Sequence, residues 1–275
     1  MEPYWDLIER IVKEADLVLE ILDARLISLS RNDRVEELIK EHDKPVIFVI
    51  NKSDLISKKM LKKQMVDFRE EIKGYKGEVV FVSSRNNRTM KILLYNIKKV
   101  FKQYGKTKLE KEDKSQHRIA KGGIVVGVLG YPNVGKSSII NALAHKSKTK
   151  VSKKPGTTHG IHWIKATKDI KLIDSPGVIP LRKEDELRYG LIGARDSEQL
   201  QNPTAIAQGL IKLFLKENKN KLEEFYKIEI KSDDVDTIVN MISQKKGHLL
   251  KGGIPDENRT HIAIVRDWQH GKLKL

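Results

Sequence analysis

The stretch GYPNVGKSS, residues 130–138, constrains the fold of this 275-residue chain more than any other. It matches G-x-x-x-x-G-K-[ST]. It directly follows the apolar run GIVVGVLG (123–130) and opens a segment, 136–146, patterned as a helix. A buried strand feeding a glycine loop into a helix is the opening half of a parallel βαβ unit, so the motif asks for a parallel sheet around it. Gly130 and Gly135 let the backbone curl until its N–H groups converge on an anion. The helix N-terminus adds a favourable dipole. Lys136 is placed to reach the β- and γ-phosphates of a nucleotide, Ser137 to coordinate a divalent ion, and Val134 and Ser138 to complete the loop.

The rest of the first 180 residues supplies such a sheet. Apolar positions Trp5, Leu7, Ile8, Ile11 and Val12 give a helix over 4–15, and LVLEILDAR (17–25) reads as a strand ending at Asp23. A helix around 31–42, a strand at 46–50, a helix around 57–73, a strand EVVFVSS (78–84) and a helix near 88–104 follow. After the phosphate loop come two strands, IHWIKAT and IKLIDSPG, joined by a turn at Lys168-Asp169. The expectation is an α/β fold, a mostly parallel sheet with helices on both faces. Residues 105–122 are charged and weakly apolar, a linker or a solvated helix end, and HKSKTKVSKKPGTTHG (145–160) reads as a basic loop. From about 184 the pattern is mostly helical with basic faces. The expected domains are therefore 1–182 for the nucleotide fold and 183–275 for a smaller all-helical unit.

Three further stretches complete the phosphate loop. LIDSPG (172–177) ends a strand in Asp174, able to hold Mg²⁺ through a water, and Gly177 leaves its N–H for the γ-phosphate. PGTTHG (155–160) offers a threonine to the Mg²⁺ shell; Thr158 is favoured over Thr157, which the sequence barely separates from it. VIFVINKSDLI (46–56) carries Asn51, Lys52 and Asp54 at a strand tip. There Asp54 accepts from guanine N1 and its exocyclic amine, the Lys52 stem lies along the ring, and Asn51 binds the far edge of the base or ties loops together. VSSR (82–85) puts Ser83, Ser84 and Arg85 at the next strand end, with backbone N–H groups for guanine O6.

The chain holds 53 Lys and Arg against 37 acidic residues, a net charge of +16, which points to a polyanionic partner such as RNA. It has no cysteine, excluding disulfides and thiolate metal sites. The acidic beginning is not a signal peptide, and no apolar run approaches the roughly 20 residues of a membrane span. In the helical part, Lys245, Lys246, Lys251, Arg259, Arg266, Lys272 and Lys274 are interleaved with His248, His261 and Trp268. The lysines and arginines are expected to meet RNA phosphates. Trp268 reads as core, with base stacking as its alternative.

The order NKSD, SSR, GYPNVGKSS, PGTT, DSPG resembles the circularly permuted GTPases, specifically the YlqF/YawG (RbgA-like) family of ribosome-assembly GTPases. DARL (23–26) resembles that family's D-A-R-x-P, and KKGHLLKGGIPDENRTHIAIVRDWQHGKL (245–273) resembles the end of its helical domain. The resemblance implies GTP and GDP as ligands with Mg²⁺, and hydrolysis that is slow alone and stimulated by the particle. It also implies binding to ribosomal RNA and the large-subunit precursor. The expected location is the cytoplasm, away from membranes; the sequence leaves the oligomeric state open, with a monomer as the expectation. The resemblance extends to a potassium ion held by Asn133 that stands in for an arginine finger. Val178 occupies the position after D-x-x-G where many GTPases carry a water-positioning glutamine, consistent with slow turnover. His159 or a group of the particle is the other candidate for that role. An RNA-binding protein with a vestigial nucleotide site and a signalling GTPase with a non-ribosomal target are the competing classes.

Overall fold

The computed structural model describes residues 4–105, 123–144, 162–174 and 186–275. The chain divides into two compact units, the first comprising Met1–Asp54 and Lys58–Pro180, the second Leu55–Ser57 and Leu181–Leu275.

In the first unit the described elements are α1 (Tyr4–Glu14), β1 (Leu17–Asp23), α2 (Ile27–Ser30), α3 (Asp33–Glu41), β2 (Val46–Asn51), α4 (Lys58–Glu71), β3 (Gly77–Phe81), α5 (Asn87–Tyr104), β4 (Ile124–Leu129), α6 (Lys136–Ala144), β5 (His162–Lys165) and β6 (Ile170–Asp174). The strands form one sheet in the order β3-β2-β1-β4-β6-β5, parallel except for the edge pair β5–β6. Every residue of β1 and β2 is buried. Strands sealed on both faces read as unbroken apolar runs rather than alternating ones, which is why LVLEILD and VIFVIN look as they do.

Burial on both pleat directions requires helices on both faces. Glu20 and Phe48 are paired in register and share one face. There Phe48 meets Phe68 of α4 edge to face at 5.4 Å, and Glu20 accepts from the backbone of Asn32, the N-cap of α3. The helix α1 lays Leu7, Ile8, Ile11 and Val12 against the sheet, and α5 buries Met90, Leu93, Ile97 and Val100.

The second unit is helical: α7 (Glu186–Leu191), α8 (Pro203–Glu217), α9 (Lys219–Tyr226), α10 (Val235–Lys246) and α11 (Glu257–Gln269). Trp268 of α11 sits at its centre, fully buried. It is edge to face with Phe214 at 5.8 Å and donates its indole N–H to Leu191 O at 2.6 Å. Asp234 and Asp256 cap α10 and α11 by accepting the N–H groups of Thr237 and Arg259. Among the described residues no helix is long and apolar enough to cross a membrane.

Candidate functional site

Parallel pairing brings the carboxyl ends of β1, β2, β3, β4 and β6 to one edge of the sheet. Asp23 lies level with Asn51, and Val128, just before the phosphate loop, lies level with Asp174. Loops that leave this edge at the point where the chain reverses its winding form the usual ligand crevice of an open α/β sheet.

The phosphate loop has the backbone its glycines require. Gly130 takes φ +143° and Gly135 φ +104°, and Asn133 adopts the left-handed region at φ +60°, which asparagine tolerates better than most residues. A Cβ on Gly135 would lie 2.2 Å from Asn51 Nδ2, so the glycine is also what admits Asn51 to the loop. Lys136 opens α6 and folds back, Nζ donating to Gly130 O at 2.7 Å and Tyr131 O at 2.8 Å. Burial lowers its pKa to about 8, against the pull of the Asp174 carboxylate. Burial in turn raises the pKa of Asp174, with Lys136 and His162 opposing. Ser137 and Ser138 are exposed in the first turn of α6, which carries no acidic residue. The Tyr131 hydroxyl accepts from Asn32 Nδ2 at 2.9 Å, tying the loop to the cap of α3.

The loop after β2 is built against the phosphate loop. Asn51 Nδ2 donates to Val134 O at 2.9 Å and Asn51 Oδ1 accepts from Ser84 N at 3.3 Å, so this side chain ties three loops together, one of its two expected roles. Lys52 turns at φ +60° and its Nζ reaches Asp23 Oδ2 at 2.8 Å. Asp54 stays exposed in the single 3₁₀ turn Ser53–Leu55. Around 83–85 the geometry differs from expectation. Ser83 N donates to Thr89 Oγ1, Ser84 N to Asn51, and Arg85 N to Ser83 Oγ, at 3.2–3.4 Å, so these N–H groups are engaged within the protein rather than free for a base. Two of these donors are satisfied within the strand-to-helix turn, by Thr89 and Ser83, and the third by Asn51 from the loop after β2.

Asp23 and Arg25 carry a role that pattern reading missed. Arg25 Nε and Nη2 grip the Asp23 carboxylate at 3.0 and 2.8 Å, both side chains being 1% exposed. Burial opposes ionisation of Asp23, but Arg25 and Lys52 overcome it and hold the carboxyl well below its usual range. The carboxylate therefore pins Lys52 from beneath. The signal was there in DAR at a strand tip, but only the β1–β2 register shows what it supports.

In the second unit, Lys245, Lys251, Arg259, Arg266 and Lys274 are exposed. Lys246 is paired with Asp267 at 2.7 Å, and Lys272 lies 4.0 Å from the same carboxylate. Trp268 and His261 are core, closing off base stacking by either; His261 Nδ1 meets Thr204 Oγ1 at 3.1 Å. Thr157, Thr158, His159, Gly177 and Val178, with most of the 105–122 and 145–160 stretches, lie outside the described residues.

The donors present fit Mg²⁺: a hydroxyl and a carboxylate, hard oxygen ligands, leave room for phosphates and waters. Among the described residues no cluster of three or more His, Cys, Asp or Glu could hold a metal by itself.

A family model described as "50S ribosome-binding GTPase" matches residues 125–250. A GTP-binding protein of Methanocaldococcus jannaschii is 36% identical over 98% of this chain and 66% of its own length. Ribosome biogenesis GTPase A of Bacillus cereus is 32% identical over 95% of this chain and 85% of its own. Nuclear/nucleolar GTPase 2 of Oryza sativa is 33% identical over 98% of this chain. The chain thus spans just under two thirds of the first of these relatives and about half, 47%, of the rice protein. In structure it is similar to GNP-bound YlqF from T. maritima, at a TM-score of 0.63 and 21% identity, covering 98% of this chain and 94% of that one.

Proposed function

This chain belongs to the YlqF/RbgA-like family of ribosome-biogenesis GTPases, and on that premise we propose that it hydrolyses GTP to time a step in assembly of the large ribosomal subunit, in the cytoplasm, through contact with ribosomal RNA. The observation that carries this reading is the Asn51 bridge. One side chain joins the loop after β2 to the phosphate loop at Val134 and to Ser84, making one pocket of segments far apart in sequence.

In that pocket Asp54 accepts from guanine N1 and the exocyclic amine, and adenine is rejected because it would leave the carboxylate unpaired. Lys52, pinned by Asp23, presents its stem to the ring, and Ser83–Arg85 border the base. The curled backbone from Asn133 to Ser138 faces the phosphates. Lys136 exchanges its carbonyl partners for phosphate oxygens, regaining a counter-charge for a buried ammonium. Ser137, Asp174 and Thr158 would hold Mg²⁺, which when bound would neutralise negative charge on the phosphates. Gly177 would give its N–H to the γ-phosphate, and Thr158, through the Mg²⁺ shell, would hold its loop only while that phosphate is present. Val178 cannot orient water, so the missing element would come from Asn133 with a potassium ion, from a group of the particle, or from His159.

The test is to measure GTP turnover with and without large-subunit precursor, in K⁺ and in Na⁺, and to sequence the RNA crosslinked to Lys136→Ala in cells. Slow turnover raised by the particle, abolished in the variant, with ribosomal RNA recovered, is the expected result. Recovery of messenger or transfer RNA would overturn the ribosomal assignment. Unchanged turnover in Lys136→Ala would overturn the catalytic one.

A further inference from the structure

The helical unit contains a cleft of about 330 Å³ between the turn 248–256 and α11, lined by His248, Asp256, Asn258, Arg259, Ile262 and Arg266. The turn is a closed hairpin. Asp256 N donates to His248 O at 2.8 Å and Leu249 bridges Pro255, so the two residues at its base are the two that line the cleft. On α11, Asn258, Ile262 and Arg266 recur every fourth residue and form one stripe, with Arg259 beside it.

The polar groups of this cleft have a readable pattern. The Thr260 hydroxyl donates to Asp256 O at 2.8 Å, so towards His248 Nδ1, 3.1 Å away, it accepts. The ring proton therefore sits on Nδ1, and Nε2 keeps its lone pair as the remaining polar edge. Burial, with Arg259 and Lys246 nearby, lowers the pKa of His248 and keeps the ring neutral. Neither Arg259 nor Arg266 forms an ion pair among the described residues. The nearby Asp267 is taken by Lys246, and Asp256 Oδ1 caps the Arg259 backbone N–H. The cleft thus offers two uncompensated guanidinium forks and two acceptors. The tip of the hairpin exposes Leu250 (54%) and Ile254 (60%) around Lys251, an apolar face in a strongly basic chain.

We infer that this cleft takes a single unpaired nucleotide of RNA. Its phosphate lies on Arg259 and Arg266, the N–H edge of its base faces His248 Nε2 and the Asp256 carboxylate, and the Leu250–Ile254 tip packs on the base. Guanidinium forks match phosphate oxygens, and a base that offers its Watson–Crick N–H edge to acceptors in a cleft must be unpaired and splayed out, because in an A-form helix that edge is used in pairing and the major groove is too deep and narrow for side chains to read. The inference rests on RNA being the partner and specifies where and how it is gripped.

Full-length protein is titrated with a labelled hairpin RNA carrying an unpaired loop and with a fully paired duplex of the same stem, over a range of salt. Wild type should prefer the looped RNA. The surface variant Arg259→Gln/Arg266→Gln, checked for an unchanged melting transition, should lose about tenfold or more in affinity for it, with a salt slope smaller by about 1–2. His248→Gln, which keeps an acceptor, should retain the preference for looped RNA, and His248→Leu should erase it. Wild-type protein that binds neither RNA overturns the RNA reading and the cleft together. Wild-type binding matched by the double variant with the same salt slope overturns the cleft alone. Displacement from the cleft residues by an acidic peptide, and not by the looped RNA, makes it a protein site and overturns the inference.

Discussion

Lys136 shows how a single side chain trades stability for function. Its pKa falls from 10.5 to about 8, which corresponds to about 3 kcal/mol of burial cost borne by the folded chain. The folded state loses this proton near pH 8 while the unfolded state keeps it to about 10.5. The penalty is therefore full below about pH 8 and is relieved as pH rises through that window. Lys136→Met should remove the penalty. The nucleotide-free variant should melt at least as high as wild type at pH 7 and lack the stability gain above about pH 8, yet lose GTP hydrolysis by more than about a hundredfold, as calorimetry and phosphate release would report. A lower melting temperature would sink this account. Glu20 runs the other way. Burial, then the neighbouring Glu36, raise its pKa well above 4.5, and its Oε2 has no hydrogen-bond partner. A raised carboxyl contributes stability below about pH 4.5 that is lost as pH rises through its folded value. Glu20→Gln keeps the acceptor for Asn32 N–H and removes the ionisation, so its stability should decline less than that of wild type as pH rises above about 4.5. Parallel stability curves for the two proteins would refute it.

Among the elements, β1 does more than fill the sheet. Its last residue, Asp23, reaches Arg25 and the neighbouring loop's Lys52, so the tip of one strand holds a residue of the loop after the next strand, the loop proposed to read the base. Asp23→Asn leaves Arg25 buried without its carboxylate and frees Lys52. The expected cost is about 3–5 kcal/mol of stability. GDP affinity should fall by about tenfold or more while turnover at saturating GTP changes little, because phosphate contacts are untouched. Isothermal titration with GDP beside steady-state kinetics reads the split; a fall in turnover with unchanged affinity contradicts it. The succession of the described strands along the chain was legible in the sequence, most plainly where buried parallel strands are unbroken apolar runs, as in VIFVIN; their order in the sheet was not. Nor was the hydrogen bonding of the N–H groups at 83–85, because their acceptors are the side chains of Thr89, Asn51 and Ser83, whose orientation no pattern displays.

At the scale of the whole molecule, the order of the segments matters more than their identity. The strand β6 ends at Asp174 and the second unit begins at Leu181, so the stretch proposed to read the γ-phosphate is followed in sequence directly by the helical unit. In a chain wired from its phosphate loop onward, that stretch would return into the sheet. Collapse of this stretch on hydrolysis should therefore move the helical unit. Small-angle scattering should give different curves with GDP and with a non-hydrolysable GTP analogue, and superimposable curves would remove the idea.

The letters alone carried the motifs and, through their order, the family and fold class. Loop glycines, a lysine, a serine and strand-tip carboxylates are local requirements of a phosphate and a guanine, so they stand as short contiguous strings wherever the chain begins. The tertiary structure decided which groups meet. It set Asn51 between Val134 and Ser84, Asp23 beneath Lys52, Asn32 against Tyr131, and His248 beside two unpaired arginines, while burying Trp268 and His261. These are contacts between residues far apart in sequence or on facing elements. They follow from strand register and helix packing, where no spacing of letters records the distance.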